Sequence, residues 1–367
     1  MVGMEAKVIT SILGKGSDFF WQTLLSFFVR GLGAGAAFVA SLVVGRMLGA
    51  HEAGLFFLAF SMVTSLAAFS RVGLDNSVLR FVGAAYSEGD WGLVRNMLTK
   101  SILLTAVMSA LVMLLVVVAS EFLAGNVFNN AGLKSVLVAM SPAIGAVALF
   151  TLFALGLQAL RKIVLSVLVL NILVNGLLIL ALLVLDIRDA RLAAIVFSVS
   201  ACMTVVIGGY FTWRSLMPGT GELEWRELVR SCLPLWVVVL MGQLTQWSGQ
   251  FIAGAWVDMQ SVAQLAVAQR TAMLTSFILM AVNMVAAPRF AALYKQGKQA
   301  ELQSLALKSV KIMVIIALPV LAVMLVFPGQ LMSLFGEGFE EGAHLLQILA
   351  LGQFVSVVSG SVGYLLT

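Results

Sequence analysis

Ten apolar runs of about 20 residues recur along this 367-residue chain, at 22–45, 53–72, 101–120, 135–157, 163–185, 192–212, 233–257, 262–286, 310–327 and 345–366. No other feature narrows the possible folds so far. A helix needs about 20 apolar residues to cross a hydrocarbon layer ~30 Å thick, and in lipid only helices and closed barrels satisfy every backbone amide. A barrel would show ~10-residue segments of alternating polarity, which the sequence lacks. Soluble domains are about one-quarter charged, whereas this chain is 11% charged with a mean hydropathy of +1.06. The pattern predicts an all-α integral membrane protein.

The positive charge predicts an orientation. With the N-terminus inside, sixteen of the 22 Lys and Arg fall on the cytoplasmic side, and four, Arg46, Lys134, Arg188 and Arg191, on the other. The positive-inside rule then places the N-terminus in the cytoplasm. Residues 1–20 read as a cytoplasmic N-terminal segment, because the run behind them is too long and Gly-rich for a cleaved signal. The net charge of +5 is accounted for by this topology, since no basic helix with stacking aromatics points to nucleic acid.

Catalytic signatures are missing from the sequence. Cys202 and Cys232 are far apart and lack CxxC or His-rich spacing, so neither disulfide nor zinc is expected. "GKG" at 14–16 lacks the spacing and preceding strand of a phosphate loop. His51 and His344 are loop residues without evident partners. The expectation is a protein that is not an enzyme and needs no cofactor, any work being drawn from a proton or sodium gradient, the membrane potential or product removal.

Two short polar segments expose a duplication. "RFVGAAYSEGD" follows the second run and "RFAALYKQGK" the eighth. Tyr86, Gly89, Lys100 and Ser101 match Tyr294, Gly297, Lys308 and Ser309 at an offset of 208, and Arg80, Gly45 and Ala59 match Arg289, Gly254 and Ala268 at 209. Six runs separate the copies, so both have the same orientation, as in a parallel repeat of a six-helix unit. The predicted organisation is an N-terminal six-helix lobe at 21–212, a cytoplasmic linker at 213–232 and a four-helix C-terminal lobe at 233–367. A second lobe of equal length would end near residue 421, so the chain is expected to lack its last two helices. Gly89 and Gly297 are expected to end the two entry helices.

Two parallel bundles, the tract "GLDNSVLRFVGAAYSEGDWGLVRNMLTKS" and "GSVGYLL" in the tenth run resemble the multidrug/oligosaccharidyl-lipid/polysaccharide exporter superfamily. Within it the chain is most similar to the polysaccharide-biosynthesis branch, the Wzx-type flippases of lipid-linked oligosaccharides. The resemblance implies two bundles set as a V around a central cavity, with alternating access. It also implies a bacterial inner-membrane location, an undecaprenyl-diphosphate glycan as substrate, and polymerase and export proteins as partners. Two other readings stay open: a multidrug or organic-cation antiporter on the same fold, and a membrane scaffold that does not transport.

Intramembrane polarity supplies the candidate site. Arg30 and Arg270 lie eight or nine residues inside their runs, and no Asp or Glu lies well inside any. A buried guanidinium is costly unless it faces water or a partner, and it suits a diphosphate through charge-assisted, bidentate hydrogen bonds. The alternative is snorkelling to the interface. Gln243, Gln246 and Gln250 fall at i, i+3 and i+7 with Trp247 beside them, and Gln22, Gln264 and Gln269 add amides nearby. Such a stripe suits a glycan, and suits interhelical hydrogen bonding equally well. Asn171 and Asn175, at i and i+4, read as glue between helices, and Pro142, Pro234 and Pro319 as kinks.

Overall fold

In a computed structural model every element among the described residues is helical. The structure describes the backbone of residues 2–219, 221 and 225–366, and the side chains of residues 29, 31–219, 221, 225, 230, 232–279, 282, 283, 286, 289, 290 and 293–359. Gln22 and Arg30 lie outside the described side chains.

The first helix, α1 (Val2–Ser70), is broken at Gly49, whose φ of 74° and ψ of 168° leave the helical region. Positive φ costs glycine little, and any other residue considerably more. Continuous helix would hold Ser41 and Phe60 about 28 Å apart at ~1.5 Å per residue. Yet Arg270 donates to Ser41 Oγ at 2.9 Å, and its guanidinium lies 5.3 Å from the centre of the Phe60 ring. The helix therefore doubles back at Gly49, and its two limbs are the first two predicted spans.

The chain continues through α2 (Leu74–Glu88), α3 (Trp91–Phe122), α4 (Ala131–Met140) and α5 (Pro142–Ala159). Pro142, which has no N–H to give α4, opens α5. Next come α6 (Ile163–Val167), a π-helical turn at Leu168–Ile172, α7 (Leu173–Val184) and α8 (Ala190–Arg214). The second half comprises α9 (Trp225–Trp256), α10 (Met259–Ala272), α11 (Ser276–Lys295), α12 (Gln299–Val326), α13 (Pro328–Ser333) and α14 (Ala343–Leu366).

Eight segments among the described residues are long and apolar enough to cross a membrane, against ten expected. Gly31–Ser70 counts once there although its limbs double back, and α9 falls outside because its glutamines lower its hydropathy. On α3 the outward face is aliphatic, with Leu103, Val107, Leu111, Leu114 and Val118 exposed, while Ser101, Thr105 and Ser109 face inward. Lipid inverts the soluble pattern, since small residues let helices approach and aliphatic ones meet the tails.

The duplicated joint is visible in the backbone. Gly89 at φ 78° follows α2 and Gly297 at φ 69° follows α11. In the first, Gly89 N donates to Tyr86 O and Asp90 N to Ala85 O; in the second, Gly297 N donates to Tyr294 O and Lys298 N to Leu293 O. The same left-handed stop serves both copies.

The halves meet around the Gly49 tip through glycine notches. A Cβ on Gly45 would lie 2.8 Å from Phe335 O, and one on Gly54 only 1.8 Å from Met259 O. Arg46 Nε donates to Leu334 O at 2.6 Å, and Phe38 meets Phe335 edge-on at 5.5 Å. The contact is reciprocal: Gly254, the repeat mate of Gly45, packs on Leu58 and Phe128 of the first half. At the other end of the second α1 limb, Trp236 Nε1 donates to Phe69 O at 3.0 Å.

Candidate functional site

Below the tip lies a cavity of about 410 Å³ between the α1 limbs, α5, the α6–α7 region, α9 and α10. Its lining is dominated by aromatic rings, among them Phe38, Phe56, Phe57, Phe60, Phe150, Phe197 and Trp247. Polar atoms enter from Ser41, Thr64, Thr151, Asn171 and Asn175. Arg270 is the one charged side chain among the described lining residues, and no carboxylate accompanies it.

Arg270 reaches this position from the C-terminal end of α10 and spans the two halves. Its guanidinium sits 4.2 Å from the Phe57 ring centre and 5.3 Å from that of Phe60, and Nη1 donates to Ser41 Oγ. Ring faces are negative, so they offset part of the desolvation of the cation. Of its five donors, one N–H on Nη1 meets the Ser41 hydroxyl, and most of the rest lack an acceptor among the described residues. Chemically the position can take up an anion.

The opposite wall is made where a π-helical turn, Leu168–Ile172, interrupts α6 and α7. Such turns widen a helix and redirect a side chain, and they recur at functional sites. Here the turn contains Asn171, whose Cβ lies 2.9 Å from the position a Cβ on Gly33 would take. Asn175 Nδ2 donates to Asn171 O at 2.6 Å, answering a backbone carbonyl that the widened turn affects. Thr64 and Thr151 spend their protons on their own helices, at Phe60 O and Val147 O, so they offer lone pairs to the cavity.

The predicted residues divide accordingly. Arg270 and Trp247 line the cavity, whereas Gln243, Gln246, Gln250 and Gln269 are not among the lining residues. Gln243 accepts from Trp247 Nε1 at 3.1 Å, Gln246 is exposed, and Gln250 is buried with Nε2 unpartnered. At ~100° per residue Gln246 is turned by about 100° from Trp247, while Gln243, only about 40° away, is engaged by the Trp247 indole. Gln264 serves the seal, donating to Gly338 O at 2.7 Å. Asn171 and Asn175, read from sequence as helix glue, line the cavity.

Comparison with known proteins agrees with this architecture. The model of the polysaccharide biosynthesis protein family matches residues 20–294. The chain belongs to that family. The MatE family model matches residues 234–367, so the two descriptions overlap on α9 to α11. An uncharacterized membrane protein of Methanocaldococcus jannaschii is 22% identical over 354 residues, covering 90% of this chain and 68% of that protein.

Among solved structures, the inward-facing conformation of a multidrug resistance MATE family transporter of the MOP superfamily superposes with a TM-score of 0.70. It is 18% identical and covers 89% of this chain and 81% of its own. The outward-facing conformation gives 0.64 at 18% identity, covering 94% and 82%. A MOP superfamily transporter from Pyrococcus furiosus, described as having a binding pocket of reversed polarity, gives 0.59 at 19% identity, covering 94% and 81%. This member of the polysaccharide biosynthesis family thus has the MOP-superfamily transporter fold and is a multi-pass membrane protein.

Proposed function

We propose that the protein is an alternating-access flippase that carries an undecaprenyl-diphosphate-linked oligosaccharide to the extracytoplasmic leaflet of the bacterial inner membrane. The carrying observation is Arg270, the one charged side chain among the described lining residues of the cavity, where no carboxylate accompanies it. It fits a diphosphate and opposes an organic cation. Asn171, Asn175, Thr64, Thr151 and the ring faces supply the amides, lone pairs and flat surfaces that sugars use. The family match over residues 20–294 supports the same reading.

The test is Arg270→Ala in a strain lacking the native copy. Surface polysaccharide should be lost, with the polyprenyl-linked repeat unit accumulating on the cytoplasmic face. Normal polysaccharide at normal protein level would overturn the assignment. A multidrug antiporter is the second reading, supported by the MatE match at 234–367, the likeness to multidrug MATE structures and the aromatic lining. Deletion would then raise drug susceptibility and leave polysaccharide intact.

A further inference from the structure

A second cationic feature lies outside the cavity, in a groove of about 410 Å³ between α4 and α8 lined by Lys134, Arg191, Ser135, Val138, Ala139 and Ile195. Both helices begin level with the Gly49 tip. A Cβ on Gly132 would lie 3.6 Å from Leu55, and Ala190 N donates to Glu52 Oε2 at 3.0 Å.

Among the described residues, one of the two cations, Lys134, has a single ion-pair partner, the exposed Glu121, and the other, Arg191, has none. The charge bias leaves four Lys and Arg on this side of the membrane; Arg46 holds Leu334 O and Arg188 pairs with Asp186. The other two converge on one groove. Both sit near the start of their helices, where the helix dipole disfavours positive charge. The surrounding carboxylates are already engaged: Asp189 caps α8 at Leu192 N, Glu52 holds Ala190 N, and Glu121 meets Lys134 at 3.0 Å. Arg191 has no hydrogen-bond or ion-pair partner among the described residues.

The apolar floor has a matching register. Val138 and Ile195 each follow a cation by four residues, so they lie one turn deeper on the same faces. They are 39% and 40% exposed. Each helix thus presents a cation at headgroup level and an aliphatic chain below it. We propose that this groove binds an anionic glycerophospholipid from the leaflet at the tip. The phosphodiester lies between Lys134 and Arg191, and one acyl chain runs along Val138, Ala139 and Ile195.

Native mass spectrometry of the purified full chain, titrated separately with phosphatidylglycerol, phosphatidylcholine and glycerol 3-phosphate, tests this. Phosphatidylglycerol should be retained in preference to phosphatidylcholine. Lys134→Gln and Arg191→Gln should each lower retention on the order of fivefold, as ~1 kcal/mol per cation implies, while Arg191→Lys retains the lipid. Ile195→Ser should weaken lipid retention at unchanged melting temperature in lipid-free detergent. Equal retention of both lipids, or Gln variants that hold phosphatidylglycerol as the wild type does, would overturn the proposal. Competition by glycerol 3-phosphate at equal concentration would overturn it too, by making the groove a site for free anions.

Discussion

Arg270 was legible from sequence because charge is rare in an apolar chain and the cost of burying it demands a reason. Its ring partners were not, since Phe57 and Phe60 meet it only after α1 doubles back at Gly49. Replacement by Lys keeps the charge and loses the planar face, so Arg270→Lys should lower stability by about 0.5–2 kcal/mol, read from a detergent melt. The glutamine stripe shows the limit of periodicity, which groups residues on a face without saying what the face meets. Gln250 has a buried Nε2 without a partner, and leaving a donor unsatisfied costs about 1–3 kcal/mol. Gln250→Met should therefore leave transport unchanged and raise stability by about 1 kcal/mol; a transport defect at full stability would return Gln250 to the substrate path. Asn171 shows the complementary limit, because its side chain packs against Gly33 of α1 and also lines the cavity. A polar pair at i and i+4 looks alike facing a helix or a cavity, and the π-helical turn that distinguishes them leaves no mark in hydrophobic spacing. If Asn171 binds the proposed glycan through a hydrogen bond worth ~0.5–1.5 kcal/mol, Asn171→Leu should reduce transport several-fold, with expression and melting temperature as controls.

At the scale of elements, the local signals of the repeated joint were legible in the sequence. Glycine at a left-handed stop is a local requirement, so Gly89 and Gly297 announced the end of α2 and α11 without any tertiary knowledge. At α1 the break at Gly49 falls between the first two expected runs, 22–45 and 53–72, although both limbs belong to one helical stretch. The notches were invisible because their partners are hundreds of residues away. Gly54 is the most constrained of them: an added Cβ meets a backbone carbonyl, which has no rotamer to move. Gly54→Ala should destabilise the closed tip by about 1–3 kcal/mol. Spin labels at Arg46 and Leu334, which touch through Nε and O in the wild type, should report a longer distance distribution in the variant. An unchanged distribution would mean that α10 yields locally.

For the whole molecule, the reciprocity of the notches bears on how the halves move. Gly45 packs under Phe335, and its repeat mate Gly254 packs under Leu58 and Phe128, so each half inserts a glycine beneath the other at the same end. A pseudo-two-fold contact of this kind is separated by one rigid-body rotation, which would relieve both notches together. Alanine at either position should therefore bias the tip toward opening, and the second alanine should add little once the first has opened it. Sites without shared partners normally add within ~0.3–0.5 kcal/mol, so the expected double-mutant cycle departs from additivity by more than that. The measurement is the stability and the Arg46–Leu334 distance distribution of Gly45→Ala, Gly254→Ala and the double variant. Strict additivity would show that each notch is absorbed by its own neighbours, through a Leu58 rotamer or a shift of the Phe335 loop, and that the halves do not swing as units. Sub-additive costs with one common long distance would instead place the hinge of the proposed alternating access away from the tip. The Trp236 and Phe69 contact is where that pivot is expected, because there the halves stay joined at the far end of the same limb.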